Sequence, residues 1–294
     1  MAAAAKRHPT PVFLFSHGTT MMLGEESEPA EFWRSVGDEA LRRGIRSIIM
    51  MGAHWECTGD KIQVAMNPNP QKTPVAYVAP RRYANFELTP DIPLANRVIG
   101  MLRKAGFDAE PNPTFNFIHD TFLILIRMFP TEKTNIPAVI VSANARFDPY
   151  YHIKVGSTLR PLRYENVLII GSGGTVHNLY RNHWMQMVLH RDNFAQPTPP
   201  GQFALEFRQA MEDAFTMNCG PMLRRVVARL MKHPMYRDAH GTDDHFISAA
   251  FVAGAAGDQE DADAPNAFRA ECWELVNMAN TQFQLGLWEP AERR

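Results

Sequence analysis

The chain has 294 residues, of which 45% are hydrophobic and 21% charged, with 30 Lys and Arg against 31 Asp and Glu. This composition is typical of soluble globular proteins and excludes a disordered chain, a collagen and a coiled-coil rod. The formal net charge of −1 argues against nucleic acid as the main partner, because phosphate contacts require a basic excess.

Compartment signals point to the cytoplasm. No apolar run reaches the 18 or more residues of a membrane helix, and residues 1–10 lack the apolar stretch of a secretory signal. The chain has three cysteines, at Cys57, Cys219 and Cys272. Their number is odd and they lie too far apart for a CxxC site, so a reducing compartment is favoured. We therefore expect a cytoplasmic protein with no membrane partner, and we expect residues 1–10 to be flexible.

Short apolar runs alternate with helical patterns along the chain. Continuous apolar runs indicate strands that are buried on both faces, and Ser27 and Gly44 are typical start and stop residues of a helix. In chain order the pattern predicts a strand at 11–16, a helix from Ser27 through Leu41, strands at 46–51 and 61–66, a helix at 89–104, and strands at 137–142 and 166–171. The alternation predicts a single α/β domain over 1–294, with a central, mostly parallel sheet flanked by helices.

Three stretches interrupt this alternation. Residues 67–93 carry six prolines and show little periodicity, and residues 196–201 are expected to be a loop between helices; neither stretch resembles a domain linker. The acidic run at 258–263 is expected to be a solvated surface turn.

Three histidines follow predicted strands. His17 comes directly after the first strand, His54 follows the second, and His177 follows the last strand and the glycines between Gly171 and Gly174. The glycines favour a tight turn that presents His177 from the next helix. Because the carboxyl ends of parallel strands meet at one edge of a sheet, these imidazoles are expected to share one site.

Two further histidines accompany them. His119 precedes an apolar run at 122–128, and His245 opens a segment of small and apolar residues, where Asp243 and Asp244 favour a helix N-terminus. Imidazole clusters suit Zn(II), Fe(II) or copper. The spacing matches neither HExxH nor a Cys/His finger, which disfavours a structural zinc site, and the absence of GxSxG disfavours a serine hydrolase.

Five short motifs occur in order between residues 11 and 257. They are Phe15-Ser-His-Gly-Thr19, Gly52-Ala-His-Trp55, His119 with Leu125-Ile-Arg-Met-Phe-Pro130, Gly174-Thr-Val-His-Asn-Leu179, and Asp244-His-Phe246 with the small residues 249–257 behind it. As an ordered set they resemble the motifs of the class III extradiol ring-cleaving dioxygenases of the LigB-like superfamily, in particular the 4,5-DOPA dioxygenase branch.

The resemblance implies a LigB-like α/β fold and a mononuclear non-haem Fe(II) held by His17, His54 and His245. It also implies that Zn(II) can occupy the site. His177 matches the acid–base histidine of the relatives and is also a candidate metal ligand, and His119 matches a second active-site histidine that contacts substrate or oxygen. The implied reactants are a catechol or pyrogallol-type diol and O₂.

Two segments depart from the pattern of the DOPA-type relatives. These are residues 72–83 and residues 242–246, both of which are expected to border the substrate. The resemblance therefore implies ring-cleaving chemistry and leaves the substrate open. Arg81, Arg82 and Tyr83 are candidate contacts for a substrate carboxylate or phenol, with ordinary surface arginines as the alternative.

Several alternatives remain open on the residues alone. Asp243 or Asp244 could replace His245 and complete a site of two histidines and one carboxylate. A zinc hydrolase, in which the metal activates water, is the second enzyme hypothesis. A non-catalytic, Memo-type metal-binding signalling protein is the third hypothesis, but a pure binding module has no need of both His119 and His177.

Overall fold

A layer of parallel strands, buried on both faces, forms the centre of the molecule. The computed structural model describes residues 8–131, 133, 136–258 and 266–289, and the elements given below are those of this part of the chain. The strands are β1 (Val12–Ser16), β2 (Ser47–Cys57), β3 (Lys61–Ala65), β4 (Asp108–Asn112), β5 (Ala138–Asn144), β6 (Val167–Gly173), β7 (Ala267–Glu274) and β8 (Met278–Leu285).

Within these described residues the strands form one sheet in the order β4-β3-β5-β2-β6-β1-β8-β7. The central pairs β5–β2, β2–β6 and β6–β1 are parallel, as is the outer pair β3–β4. The pairs β3–β5, β1–β8 and β8–β7 are antiparallel. The described residues therefore form one mixed α/β domain, and the predicted fold class is confirmed.

Helices cover both faces of this sheet. The α-helices are α1 (Glu28–Arg42), α2 (Ile92–Lys104), α3 (His119–Met128), α4 (Pro149–Leu159), α5 (Met185–His190), α6 (Gln202–Thr216), α7 (Gly220–Leu230), α8 (Tyr236–Ala239) and α9 (Asp244–Ala255). Short 3₁₀ helices lie at Thr20–Leu23, Pro80–Arg82 and Arg160–Glu165.

Alternate side chains of β1 enter two separate cores, as the two-residue period of a strand requires. Val12 and Leu14 pack into the core beneath α2, α4, α6, α7 and α9, whereas Phe13 and Phe15 pack with α1 and α3. Both cores are extensive, so neither face of the central strands meets solvent.

The helix caps agree with the sequence signals, with one shift. Ser27 accepts a hydrogen bond from the backbone N–H of Ala30, as expected for the start of α1. The second predicted helix begins at Ile92 rather than at residue 89, because Asp91 is its N-cap and Pro90 pairs with Ala138 beside the sheet.

The strands missed by the sequence analysis are polar. In β8 all eight residues are buried, yet its sequence Met-Ala-Asn-Thr-Gln-Phe-Gln-Leu has no continuous apolar run. Gln282 explains how such a strand is buried, because its side chain accepts from Trp33 Nε1 at 2.8 Å and donates to the Ser16 carbonyl at 3.0 Å. Internal hydrogen bonds thus replace the water that these polar groups lose.

The expected flexible start and the expected acidic surface turn fall mostly on residues outside the described part of the chain. Residues 1–7 and residues 259–263 of the acidic run lie outside the described residues, so the flexible start and most of the surface turn stay predictions. Among the described helices, none has the length and hydropathy that crossing a bilayer requires.

Helix α9 packs against α4 at a distance that only glycine permits. A Cβ on Gly254 would lie 2.1 Å from the carbonyl oxygen of Ile153, and one on Gly156 would lie 2.0 Å from that of Phe251. The backbones of the two helices are therefore in direct contact. His245 is the second residue of α9, so this contact also restrains the helix that carries His245.

The Gly254→Ala substitution should destabilise the fold by about 1–3 kcal/mol, because the added methyl group would clash with the backbone of α4 where the two helices are in contact. Urea unfolding followed by circular dichroism measures the change. Gly100→Ala is the matched control, since nothing lies within 4 Å of its missing Cβ in the exposed face of α2. That variant should gain roughly 0.5–1 kcal/mol from helix propensity. Equal stabilities of the two variants would contradict the packing argument.

Candidate active site

Five histidines converge at the carboxyl edge of the parallel strands. His17 follows the last residue of β1, and His54 lies within the distal part of β2, where its pairing with β5 shifts register between Met51 and Glu56. His119 is the first residue of α3, His177 lies four residues past β6, and His245 is the second residue of α9. The expected meeting of strand-end histidines is what the structure shows, although His54 lies inside a longer strand than predicted.

The three predicted metal ligands surround one point. Their ring centroids are 5.5 Å apart for His17 and His54, 5.2 Å for His17 and His245, and 4.7 Å for His54 and His245. Imidazoles that share one metal at about 2.1 Å per nitrogen have ring centroids roughly 5 Å apart. The spacing of these rings therefore fits a shared metal ion.

Donor atoms in the described residues form two overlapping groups that could hold a metal. One consists of His17, His54 and His119, the other of His54, Asp244 and His245, and the donor atoms of each group lie within 4.8 Å of one another. Neither group is the predicted set of His17, His54 and His245, so that set stays a prediction, and both His119 and Asp244 are close enough to be ligands. Asp243 is engaged elsewhere, because its carboxylate accepts from the Tyr236 hydroxyl at 2.8 Å and from Arg237 at 2.7 Å.

The hydrogen bonds of His17 leave one ring nitrogen free. Its Nδ1 lies 3.2 Å from the Ser172 hydroxyl, which donates to the carbonyl oxygen of Asp120 at 2.5 Å. With its proton donated, Ser172 accepts from His17 Nδ1, and this fixes the tautomer in which Nε2 carries a lone pair. Among the described residues no partner lies within hydrogen-bond reach of His17 Nε2 or His245 Nε2, although both atoms are buried. Buried nitrogens without partners are what a metal site requires.

Burial also keeps these imidazoles in the neutral form. It lowers the pKa of His17 well below the ordinary value, and the neighbouring imidazoles lower this pKa further. Burial is likewise the main cause that lowers the pKa of His245 and brings the pKa of His119 to about 3. Because a metal binds the neutral imidazole, the cluster is ready for a metal near neutral pH.

Asp120 holds two of the predicted ligands. Its carboxylate accepts from the backbone N–H of His54 at 2.8 Å, and its carbonyl oxygen accepts from Ser172, the partner of His17. Gly52 makes room for this contact, since a Cβ there would lie 2.2 Å from the Asp120 carboxylate. The sequence analysis missed Asp120, and its position directly after His119 was the one available signal.

A second buried carboxyl, Glu274, holds the loop that follows His17. It accepts from the Thr19 backbone N–H at 2.8 Å and hydroxyl at 2.5 Å, and from the side-chain amides of Asn193 and Asn280, both at 2.5 Å. Burial raises the pKa of Glu274, and these hydrogen bonds oppose the rise. The antiparallel hairpin of β7 and β8 is thereby joined to the site.

Replacing Asp120 by alanine should weaken metal binding by about 10–100-fold, the range for losing a partner that orients a ligand. Asp120→Asn should keep most of the affinity, because the amide oxygen can still accept from His54. Competition of Zn(II) between the protein and a chromophoric chelator measures both. Asp148→Ala is the matched control, since it removes a capping bond to Tyr151 N in α4 without touching the cluster. If Asp120→Ala and Asp148→Ala bind zinc equally well, Asp120 does not position the ligands.

His177 lies on extended chain and not on a helix, which corrects the sequence prediction. Its backbone N–H donates to Ala239 at 2.9 Å, and residues 176 and 177 form bridges to Ala279 and His240. These pairings use the backbone groups that a helix would need. Burial, followed by the nearby His245 and His240, lowers the pKa of His177 well below its ordinary value.

The ring of His177 stacks on that of His245, with centroids 3.5 Å apart and planes within 7° of parallel. A ring nitrogen binds metal in the plane of its ring, so two parallel stacked rings do not direct lone pairs at one ion. His177 also belongs to neither of the two donor groups found among the described residues. This geometry argues against ligation of one ion by both rings, and metal ligation by His177 stays a prediction.

The histidines form the floor of a cavity of about 490 Å³. Its walls are mostly apolar and aromatic, and the wall residues include Met21, Ala76, Tyr77, Leu179, Tyr180, Trp184, Met187 and Met278. Leu179 belongs to the fourth sequence motif, and Ala76 and Tyr77 lie in the segment 72–83 that was expected to border the substrate. The sequence analysis missed Met21, Tyr180, Trp184, Met187 and Met278.

Arg81, Arg82 and Tyr83 are not brought together with the histidines. Tyr83 is buried in a core, where its ring stacks on Phe122 and its hydroxyl accepts from Val75 N, while both arginines are exposed on a 3₁₀ helix. Among the described residues that line the cavity, their segment contributes Ala76 and Tyr77 instead. Substrate contact by these three residues stays a prediction.

A family model and two curated relatives that resemble this chain all describe ring-opening or extradiol dioxygenases. Residues 11–284 match the family described as the catalytic LigB subunit of aromatic ring-opening dioxygenase. The chain is 28% identical over 256 residues to a 4,5-DOPA dioxygenase extradiol of Beta vulgaris, covering 85% of this chain and 88% of the relative. It is 24% identical over 277 residues to a protein of the same name from Escherichia coli (strain K12), covering 94% of both.

The fold is also found among solved structures. A crystal structure of an uncharacterized protein from Escherichia coli K12 superposes with a TM-score of 0.73 at 22% identity, covering 94% of this chain and 100% of that chain. At this level of identity the likeness shows a shared fold.

Proposed function

This chain belongs to the LigB family of extradiol aromatic ring-opening dioxygenases, and we propose that it opens a catechol or pyrogallol-type ring with O₂ at an Fe(II) held by His17, His54 and His245. The observation that carries the proposal is the histidine cluster at the floor of a cavity, in which the buried Nε2 atoms of His17 and His245 have no partner among the described residues. The family match favours this reaction over the hydrolase and signalling hypotheses.

The proposed ligand set suits Fe(II) chemistry. Three ligands on one side would leave open positions for the diol and O₂, and Fe(II) would let electrons pass from the diol, which is the reductant, to O₂. His17 and His245 would hold the ion through the Nε2 atoms that have no other partner among the described residues, and Ser172 and Asp120 hold His17 and His54 in place. Zn(II) is expected to compete for the same nitrogens, because its intrinsic affinity is higher.

His177 is the proposed proton carrier. As a neutral imidazole in the cavity wall, it can accept the proton of a substrate hydroxyl at a ring nitrogen and return it when the ring opens. Its stacking on His245 holds it beside the proposed metal position. His119, whose ring centroid is 4.5 Å from that of His54, is proposed to orient substrate or O₂.

The test is oxygen consumption by the iron-loaded protein. Protein reconstituted anaerobically with Fe(II) is mixed with a panel of catechols and pyrogallols in an oxygen electrode, with zinc-loaded protein as the control. One O₂ should be consumed per diol, and mass spectrometry with ¹⁸O₂ should find both oxygen atoms in the ring-opened semialdehyde. A product that cyclises with loss of water should keep at least one of them. The absence of oxygen uptake across the panel, or an intradiol dicarboxylate product, would contradict the proposal.

A further inference from the structure

We infer that the cavity accepts diols whose ring substituent is uncharged, such as alkyl, aryl, ether or ester groups, and discriminates against diols that carry a carboxylate. The inference rests on the proposed function and adds the substrate class. It follows from the charges, the hydrogen-bond donors and the apolar area of the cavity wall.

The described lining of the cavity has no permanently charged basic side chain to pair with a carboxylate on the ring substituent, and the diol oxygens would occupy the proposed metal. Among the described residues that line it, none is a lysine or an arginine, and the one acidic residue is Asp244. Asp244 lies 3.1 Å from His245 Nδ1, on the floor of the cavity, so an anionic substituent would meet a like charge. A carboxylate that leaves water without a partner carries a large desolvation cost.

The threonines and the tryptophan in the wall have already donated their hydrogen bonds. Three lining residues are threonines with a hydroxyl and one is a tryptophan with an indole N–H, and each of the four donates to an acceptor of the protein itself. The pairs are Thr19 Oγ1 to Glu274 Oε1 at 2.5 Å, Thr20 Oγ1 to the Ala76 carbonyl at 2.8 Å, Thr242 Oγ1 to Asp244 Oδ1 at 2.5 Å, and Trp184 Nε1 to the Leu179 carbonyl at 3.0 Å. These groups present lone pairs or ring faces to a substrate, and such surfaces repel a carboxylate or leave it unsolvated.

The outer wall suits an apolar group. Met21, Met187 and Met278 supply flexible thioether side chains, which adapt to aliphatic and aromatic groups of different shapes. Tyr77 and Tyr180 are 72% and 88% exposed, so their phenols face solvent at the outer edge of the cavity, and their rings add apolar area to the wall. The wall therefore provides contacts for an uncharged substituent.

Arg191 is a cation in the neighbourhood of the cavity. It lines a second cavity of about 470 Å³, which shares Met21, Tyr77 and Met187 with the first. These three side chains border both cavities, whereas Arg191 lines only the second. The Arg191→Gln variant described below tests whether this side chain reaches a substituent in the first cavity.

The first test compares 3-(3,4-dihydroxyphenyl)propanoate with its methyl ester on the iron-loaded protein. The ester should have a kcat/KM at least about tenfold higher, because one unpaired buried charge costs more than the 1.4 kcal/mol of a tenfold change. Equal values, or a preference for the acid, would overturn the inference while leaving the proposed function intact. Failure of both compounds and of unsubstituted catechol would instead count against the proposed function.

The second test places a cation in the wall. Leu179 lines the cavity and is 47% exposed, so Leu179→Arg should fold and should lower the ester-to-acid ratio about tenfold by pairing with the carboxylate. Leu189→Arg is the matched control, because Leu189 is 62% exposed and is not among the residues that line this cavity, and its ratio should not change. An unchanged ratio in Leu179→Arg would show that charge in the wall does not set the preference.

A third variant examines the neighbouring arginine. Arg191→Gln should leave the ester-to-acid ratio at the wild-type value. A selective loss of turnover with the acid in this variant would mean that Arg191 serves carboxylate substrates, and it would overturn the inference.

Discussion

Replacing His17 or His54 by alanine should abolish stoichiometric metal binding. Each change removes one of the three proposed bonds to the metal. The loss of metal affinity should therefore exceed the roughly 10–100-fold loss expected when a residue that only orients a ligand is removed. Metal content after dialysis against a weak chelator, measured by mass spectrometry for Fe(II)- and Zn(II)-loaded protein, should fall from about one ion per chain to nearly none. His190→Ala, at an exposed position in α5, is the control that should keep its metal. Full occupancy in both active-site variants would refute the assignment.

The third ligand is decided by a parallel set of variants. Asp244 shares a donor group with His54 and His245, and His119 shares one with His17 and His54. If His245 is the third ligand, His245→Ala loses the metal, whereas Asp244→Asn and His119→Ala keep it. Loss in Asp244→Asn alone would give a site of two histidines and one carboxylate, and loss in His119→Ala would place that residue among the ligands. Zinc in the protein as purified does not count against iron as the working metal.

The strand-end histidines could be predicted because their signal is local. A buried parallel strand is a continuous apolar run, and the residue that follows it lies at the edge where ligands bind. His17 fits this rule without change. His54 fits it less closely, because β2 continues past a register shift to Cys57, and such a shift depends on pairing with β5.

The remainder of the site depends on contacts between segments distant in sequence. Asp120 acts on His54 across 66 positions, and Glu274 acts on Thr19 across 255. A single sequence carries no sign of such pairs. The position of Tyr83 depends on such a contact too, because its phenol ring stacks on Phe122 inside a core. The strand β8 was not predicted, because the groups that form hydrogen bonds with its buried polar residues lie on other elements.

Replacing His177 by phenylalanine should stop turnover while the protein keeps its metal. A phenyl ring can retain the stacking on His245, which is 3.5 Å away between ring centroids, but it cannot accept or return a proton. We expect kcat to fall by roughly 10²–10⁴-fold with little change in KM, the pattern of a lost general acid–base group. Oxygen uptake and metal content are measured on the same samples, so that a catalytic loss is separated from a loss of iron.

The comparison with His119→Ala separates proton transfer from orientation. His119 is proposed only to orient substrate or O₂, so its variant should lose less activity than His177→Phe at equal iron content. If metal content falls together with activity in His177→Phe, His177 is a ligand, and the argument from its parallel stacking on His245 is wrong. If the iron-loaded variant instead cleaves catechols at the wild-type rate, His177 carries no proton, and the base must be sought among the other groups that face the cavity. His119 would then be the first candidate, because burial keeps it neutral and its ring lies beside that of His54.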